Sequence, residues 1–532
     1  MPIRMDDDQK KTGGRDNYPG RNKNTGGNTG GTGGKGGLIG ALLPLLLKKP
    51  KLLIVAVIAF IGYQYMTGGC SGDSGGGGNI PDISNIADLF STGFDANPEK
   101  YNATEIFEPL ADNKKNPLPE RISLLDHAPN RKNQGRQGSC VGWASSYAAR
   151  SILHSQQTGN DPNAKPFSPS YLYNQIKLNN NCQGAYLHDA MANMKKGGVA
   201  PYNEYAYNEN SCDFDADNQD KAAAQNYKIN GYQRLTKGDN LKSVDMLAMK
   251  QNLAQGAPIV IGMMVGGSFM QGMMGNDLWA PTSQDYNMSG FGGHAMCVIG
   301  YDDYKANGEG AFQLMNSWGN EWGKNGIGWV RYKDFEHFTK EAYGVYPMGD
   351  ADKPKGTSND ISFGLLLTEN NSYMDLQQNF SGVMKAQGKL KKGRDGSRFK
   401  VEVTNTLPCY TYIFGAEQDN SSYVLFPYNP KHSPYCGITG TRVFPHDQSM
   451  WPDENGTKDR IAVVITNEPL DYDKFNQKLN SASGTTFTDK LNNALGTDKK
   501  DVNVRSAGKN LNFQTQLSGS QKVGWVIEFD KE

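Results

Sequence analysis

Asn133-Gln134-Gly135-Arg136-Gln137-Gly138-Ser139-Cys140 is the stretch on which the reading of this 532-residue chain turns, together with Gly293-His294-Ala295 and Asn316-Ser317-Trp318-Gly319 downstream. A cysteine at a helix start is most often a small buried hydrophobe. The surroundings of Cys140 argue for more. Gly135, Gly138 and Ser139 make a turn-prone approach, and Val141 to Gln157 carries Ala144, Tyr147, Ala148 and Ile152 at three- and four-residue spacings, which predicts a helix. Cys140 then lies at the helix N-terminus, where unpaired amides and the positive dipole end favour an anionic sulfur and can receive a developing oxyanion. Gln134, six residues earlier, is placed to offer its side-chain amide as a second oxyanion donor.

His294 opens the apolar run Ala295-Met296-Cys297-Val298-Ile299-Gly300, which reads as a buried strand. A lone histidine at a strand edge is usually structural. The next strand, Ala311 to Asn316, follows the turn-rich Asn307-Gly308-Glu309-Gly310, and the hairpin so formed would set Asn316 beside His294. Trp318 and Trp322 flank a glycine-rich loop that would roof the His-Asn contact and strengthen it by excluding water. A thiol is a modest nucleophile near neutral pH; a positioned imidazolium lowers its pKa, and an amide fixes the imidazole's orientation.

These three segments resemble the papain-like cysteine peptidase family over about residues 119 to 348, with Cys140 and His294 separated by 154 residues. The resemblance implies a two-lobed α+β fold, with a helical lobe and an antiparallel β lobe on either side of a cleft. The composition agrees, since residues 140 to 250 lean to helix and residues 257 to 348 hold strand runs such as Pro258-Ile259-Val260-Ile261-Gly262. By resemblance Cys140 is the nucleophile, His294 the general base and acid, Asn316 the orienting residue and Gln134 the oxyanion donor. Phe167-Ser168-Pro169-Ser170-Tyr171-Leu172 is similar to a second characteristic segment. Cys182-Gln183-Gly184-Ala185-Tyr186 resembles the stretch whose main chain pairs with extended substrate. Gly184 and Ala185 would thus bind peptide, and Trp318, grouped with them on the substrate side, would also shield the His-Asn pair. The chain departs from the family in having Val141 where Trp is usual and Gln137 where a cysteine commonly makes a disulfide. Cys182 and Cys212 are left without their usual partners, and are expected to pair with each other.

Ahead of this region the charge is uneven. The whole chain balances 55 basic against 55 acidic residues, yet residues 1 to 51 hold ten basic and four acidic side chains, net +6, and residues 52 to 120 hold three and nine, net −6. Leu52 to Gly72 between them has no charged residue and is long enough for a bilayer core of about 30 Å as a helix. The expected organisation is a disordered Gly/Asn-rich cytoplasmic tail (1–37), a membrane-anchor region with a transmembrane helix (38–69) and a flexible acidic tether (70–118) without a clear pro-domain. The peptidase domain (119–350) follows, outside the cytoplasmic membrane by the positive-inside tendency. Cys70 is a weaker candidate for lipid attachment.

Beyond a linker (351–360), residues 361–532 carry short alternating runs, Phe399 to Val403, Tyr410 to Phe414, Tyr423 to Phe426 and Arg460 to Ile465, separated by Asn, Asp, Gly and Pro turns. This pattern predicts an antiparallel β-sandwich, with Val523 to Phe529 as its closing strand. Tyr410 to about Leu479 resembles a bacterial accessory domain of unassigned role that follows peptidase domains, and a protein partner is its expected ligand. Cys409 and Cys436 are equally consistent with a disulfide and with buried thiols. No metal-ligand spacing, cofactor motif or basic aromatic patch for nucleic acid occurs. Two function classes remain: a peptidase acting on peptide or protein, with acyl or peptide transfer (transpeptidase) as a related chemistry, and a surface binding or adhesion protein on the same scaffold.

Overall fold

The computed structural model describes residues 3–7, 92–111, 115–213, 215–238, 243–346, 358–378 and 383–532. The proposed membrane anchor, Cys70, the early tether and most of the 351–360 linker lie outside these residues. Among the described residues no helix is long and apolar enough to cross a membrane.

The first lobe is built around the helix that begins at Cys140–Gly142, widens through Trp143–Arg150 and closes as Ser151–Thr158. Gly159 ends it in the left-handed region, φ 68°, where its lack of a Cβ removes the steric penalty. Pro169–Ile176, capped by Ser168 with Pro at the first turn, and Leu187–Lys196 pack against it. Small residues permit the close approach: a Cβ on Gly142 would meet the Pro169 carbonyl at 2.6 Å.

The second lobe is an eight-stranded sheet in the order Gly231–Arg234, Thr339–Tyr346, Ile259–Val265, Gly292–Asp302, Ala311–Met315, Ile327–Arg331, Leu278–Trp279, with Arg121–Ser123 pairing Gly292–Asp302. The register sets Met263 opposite His294 and Met315 opposite Cys297, which carries Asn316 to the level of the histidine. Strands such as Ile259–Val265 are buried nearly throughout, because the helices Trp143–Arg150, Leu187–Lys196, Met246–Ala254 and Tyr332–Phe338 pack against them.

Residues 359–532 form two facing sheets. One contains Asn359–Leu367, Phe399–Asn405, Gly440–Phe444, Gln448–Pro452 and Asn510–Thr515; the other Met384–Leu390, Cys409–Ala416, Lys458–Thr466 and Lys522–Lys531. Phe363, Val401, Val463 and Ile527 interdigitate between them, and Phe363 meets Trp525 across the gap with ring centroids 4.2 Å apart. Two features differ from the sequence reading, and one open alternative, the state of Cys409 and Cys436, is resolved. Lys522–Lys531 is an interior strand, pairing parallel with Met384–Leu390 and antiparallel with Lys458–Thr466. Two helices, Tyr472–Ser481 and Phe487–Leu495, cover the outer face of the second sheet through Phe475, Leu479, Phe487 and Leu491. Their polar composition masks them, although Thr486 and Asp489 complete a capping box. Cys409 and Cys436 face each other across strands as buried free thiols.

The tail assigned to disorder also differs. Ile3–Asp7 is an edge strand paired antiparallel with Gln448–Pro452; Ile3 is 1% exposed in the sandwich core, and its N–H donates to the Tyr423 hydroxyl at 3.0 Å. Main-chain pairing, buried Ile3, packing of Met5 and the ion pairs of Asp6 with Arg394 and Arg398 hold it, so the low apolar content of the tail is a poor guide to these five residues.

Candidate active site

The loop before Cys140 is held from both sides. Gly138 donates to the Cys182 carbonyl at 3.0 Å and accepts from the Gly184 N–H at 3.2 Å. A Cβ on Gly138 would lie 2.9 Å from that nitrogen, so the strands can approach only with glycine there. The Cys182–Cys212 disulfide closes the neighbouring loop. Tyr207 ties the loop to itself, its hydroxyl lying 2.7 Å from Ser139 Oγ and donating to the Gln134 carbonyl at 2.7 Å. Gln137, in place of a family cysteine, donates to the Asn208 carbonyl.

Across the cleft, His294 Nε2 lies 2.7 Å from Asn316 Oδ1. That oxygen also accepts the Ser317 N–H at 2.7 Å, which fixes the amide with its carbonyl toward the ring. Nε2 must therefore carry the proton, leaving Nδ1, which is buried and without a hydrogen-bond partner, as the basic nitrogen. Trp318 stacks on the imidazole with centroids 4.2 Å apart, braced by Trp322 and Phe269. The next residue, Ala295, donates its N–H to Cys140 Sγ at 3.3 Å, bringing thiol and imidazole together. Gln134 joins the two sides: its Oε1 accepts the Ser317 hydroxyl at 2.6 Å, its N–H donates to the Ser317 carbonyl, and one N–H of its amide goes to the Gln137 carbonyl at 2.9 Å. Ser317, which lies inside the Asn316 motif without an expected role there, and Tyr207, which carries no motif signal, are brought to the loop by the fold.

Residues of the supposed tether occupy the cleft. Gly93 and Phe94 donate to the Gly293 carbonyl at 3.1 and 2.9 Å. Ala185 donates to the Gly93 carbonyl at 2.9 Å and accepts from Asp95 at 3.2 Å, so Phe94 pairs parallel with Ala185. The Phe94 ring fills the space that Gly262 leaves empty, since a Cβ there would lie 2.2 Å from it. Cys140 and His294 are both wholly buried beneath this strap. Residues 92–111 of the tether thus have defined contacts, and Gly93 to Asp95 plug the cleft, a correction to the flexible segment expected.

Two substrate-side assignments change with it. Ala185 offers both main-chain groups to the segment in the cleft, whereas the N–H and carbonyl of Gly184 bond Gly138 and Leu178. Gly184 contributes instead the absence of a side chain beside the Gly93 carbonyl. Trp318, 2% exposed, packs on His294 and lines no open surface.

Burial also governs the protonation of the site. Desolvation pushes the Cys140 thiol up to about 12, although the N–H groups of Ala295, Val141, Gly93 and Cys140 itself pull the other way. His294 is lowered to about 4, again by desolvation, against the raising influence of Asn316. Closed, the pair is neutral thiol and neutral imidazole. Desolvation thus opposes the thiolate that the helix N-terminal amides favour.

A thiol, an imidazole and a carboxamide converging between a helical and a β lobe mark a peptidase of the cysteine type. Residues 120–348 match the family described as papain family cysteine protease, and the chain carries a domain of that family there. It is similar to an uncharacterized peptidase C1-like protein of Acanthamoeba polyphaga mimivirus, 28% identical over 220 residues, covering 40% of this chain and 68% of that one. Cathepsin K of Mus musculus is 27% identical over 198 residues, covering 37% and 54%. The chain therefore spans about two thirds of the viral relative and about half of cathepsin K. Among solved structures, xylellain, a cysteine protease from Xylella fastidiosa, is 23% identical with a TM-score of 0.40, covering 49% of this chain and 97% of its own.

Proposed function

We propose that the chain is a membrane-associated cysteine peptidase whose described form is closed. With the strap withdrawn, water reaches the pair, the thiol proton passes to His294 Nδ1, and Sγ attacks the peptide carbonyl carbon. The oxyanion is received by helix N-terminal amides and the remaining N–H of Gln134. The imidazolium returns its proton to the leaving amine as the C–N bond breaks. Water, deprotonated by the same nitrogen, then hydrolyses the thioester and restores the thiol. Asn316 and Trp318 hold the ring so that Nδ1 is the nitrogen that exchanges protons. The observation carrying this reading is the fixed tautomer of His294, with Ala295 donating to Cys140 beside it.

Placement outside the cytoplasm is part of the proposal. The uncharged apolar run Leu52 to Gly72 supports membrane association, and the Cys182–Cys212 disulfide, which persists in oxidising compartments, supports the external placement. A peptidyl electrophile tests the chemistry: the full chain with Phe94→Ala, which weakens the strap, is expected to be labelled, and the same protein with Cys140→Ser is not. Absence of labelling at every pH between about 5 and 8 would remove the peptidase reading. Digestion of intact expressing cells with an added protease tests the placement, with loss of the 92–532 region expected and its protection refuting an external position.

A further inference from the structure

Past the cleft, the strap runs on into the β-sandwich. Asn97 caps the short helix Pro98–Ala103, Lys100 of that helix pairs with Asp189 at 2.6 Å, and the Tyr101 hydroxyl accepts the Ala342 N–H at 3.0 Å. Beyond the helix, two buried arginines take hold of strap carbonyls from opposite sides. Arg234 of the peptidase lobe donates Nε to the Thr104 carbonyl at 2.9 Å, and Arg442 of the β-sandwich donates Nε to the Glu108 carbonyl at 3.2 Å.

Between them Ile106 behaves as a middle strand, bridging Arg234 on one side and His432 on the other. Its N–H donates to the Lys431 carbonyl and its carbonyl accepts from Ser433, while Glu105 and Phe107 exchange main-chain bonds with Arg234. Side chains reinforce the sandwich half of this seat. Glu108, 3% exposed, pairs with His432, and the Ser433 hydroxyl donates to Glu105. Further along, Ala111 donates to the Thr441 carbonyl at 2.8 Å, and Asn116 bonds both main-chain groups of Thr441.

The cleft end of the strap is tied to Gly293 and Ala185 by four main-chain hydrogen bonds and seated by one ring, whereas residues 105–111 and 116 are fastened to the sandwich by main chain, side chains and the buried Glu108–His432 contact. We propose that the C-terminal β-sandwich is a clasp: by gripping residues 105–111 and Asn116 it keeps Gly93 to Asp95 seated over Cys140, so that loosening the clasp uncovers the cysteine. The helix Pro98–Ala103, docked through Lys100 and Tyr101, is the rigid link between the two ends. This gives the accessory domain a regulatory part in its own chain.

The test is made on the full chain, reading alkylation of Cys140 by iodoacetamide and hydrogen exchange at the Ala185 amide, whose bond to the Gly93 carbonyl reports the seated strap. His432→Leu removes the hydrogen-bond partner of Glu108, and Ser433→Ala is the milder companion should the first fail to fold. Val463→Ala loosens the sandwich core without touching the strap. The clasp predicts that His432→Leu, or Ser433→Ala to a smaller degree, raises the alkylation rate about tenfold or more with a matching loss of Ala185 protection, the effect of losing one charge-assisted bond. Val463→Ala should leave both within twofold. Clasp variants that stay within twofold of wild type, a rise in alkylation without a change at Ala185, or an equal rise in Val463→Ala each overturn it. The inference rests on the strap covering Cys140; because alkylation and exchange read access rather than turnover, its failure is distinct from failure of the peptidase reading.

Discussion

Replacing Phe94 by alanine separates the ring's part in closure from that of the main chain, because all four hydrogen bonds at the cleft end of the strap are made by backbone atoms. The side chain is 6% exposed when seated and meets water when the strap lifts. Burying a phenylalanine from water stabilises by about 1.5–3 kcal/mol, and the space left beside Gly262 adds to the loss, so a shift of about 3 kcal/mol toward the open form is expected. That corresponds to an opening equilibrium raised roughly 150-fold. Iodoacetamide at a fixed neutral pH, with peptide-level mass spectrometry, reads it directly: the Cys140 rate should rise by about two orders of magnitude over wild type. Cys297, Cys409 and Cys436 are buried free thiols away from the strap and serve as internal controls. An unchanged Cys140 rate would refute the plug. A parallel rise at Cys297 would show that the substitution unfolds the domain instead.

Gly262→Val should act from the other side of the same contact, since its Cβ would stand 2.2 Å from the Phe94 ring; the strap is expected to lose its seat, and Cys140 alkylation to rise, with little further effect when Phe94 is already alanine. Reduction of Cys182–Cys212, which closes a separation of 30 residues, is expected to destabilise the peptidase lobe by about 3–4 kcal/mol and lower its thermal midpoint; a midpoint insensitive to reductant would contradict a formed bond. Closure should also depend on pH through His294. Its pKa is about 4 when covered against an ordinary 6.5, so the closed form holds the neutral ring and its advantage, complete above 6.5, falls away as pH drops toward 4. Between pH 7 and 5 the opening equilibrium should rise on the order of 20-fold, read as the Ala185 protection factor. Glu341→Gln is the background for that measurement. The Glu341 carboxyl, raised to about 8 by burial and bonded to the Asn97 N–H, holds its proton better when covered and so favours closure as pH falls. A flat protection profile in that background would remove the His294 linkage.

The parts of the site legible in the sequence were those with a local pattern. Cys140 at the start of a period-3.6 run, and His294 and Asn316 on successive strands of one hairpin, are placed by spacing alone, and the structure sets them within one cluster. The alternating runs of residues 399–405 and 458–466 likewise announce strands. The strap had no such signature. Gly93-Phe94-Asp95 is three residues in an acidic, polar stretch, and its role arises from complementarity with Gly138, Gly262 and Gly293, which are distant in the chain. Helix Phe487–Leu495 was hidden for a related reason: only one of its faces is apolar, and its partner surface is the outer side of a sheet. The protonation state was missed because helix dipoles are readable from position, whereas desolvation depends on what lies on top.

The pairing of Ile3–Asp7 with Gln448–Pro452 has a consequence for how the chain meets a membrane. Ile3–Asp7 is anchored in the sandwich and Gly93 to Asp95 at the cleft, so both segments belong to one folded body. With that strand seated, the first residues stand on the same side as the catalytic cysteine, and a cytoplasmic tail with an external enzyme would require the strand to leave its sheet.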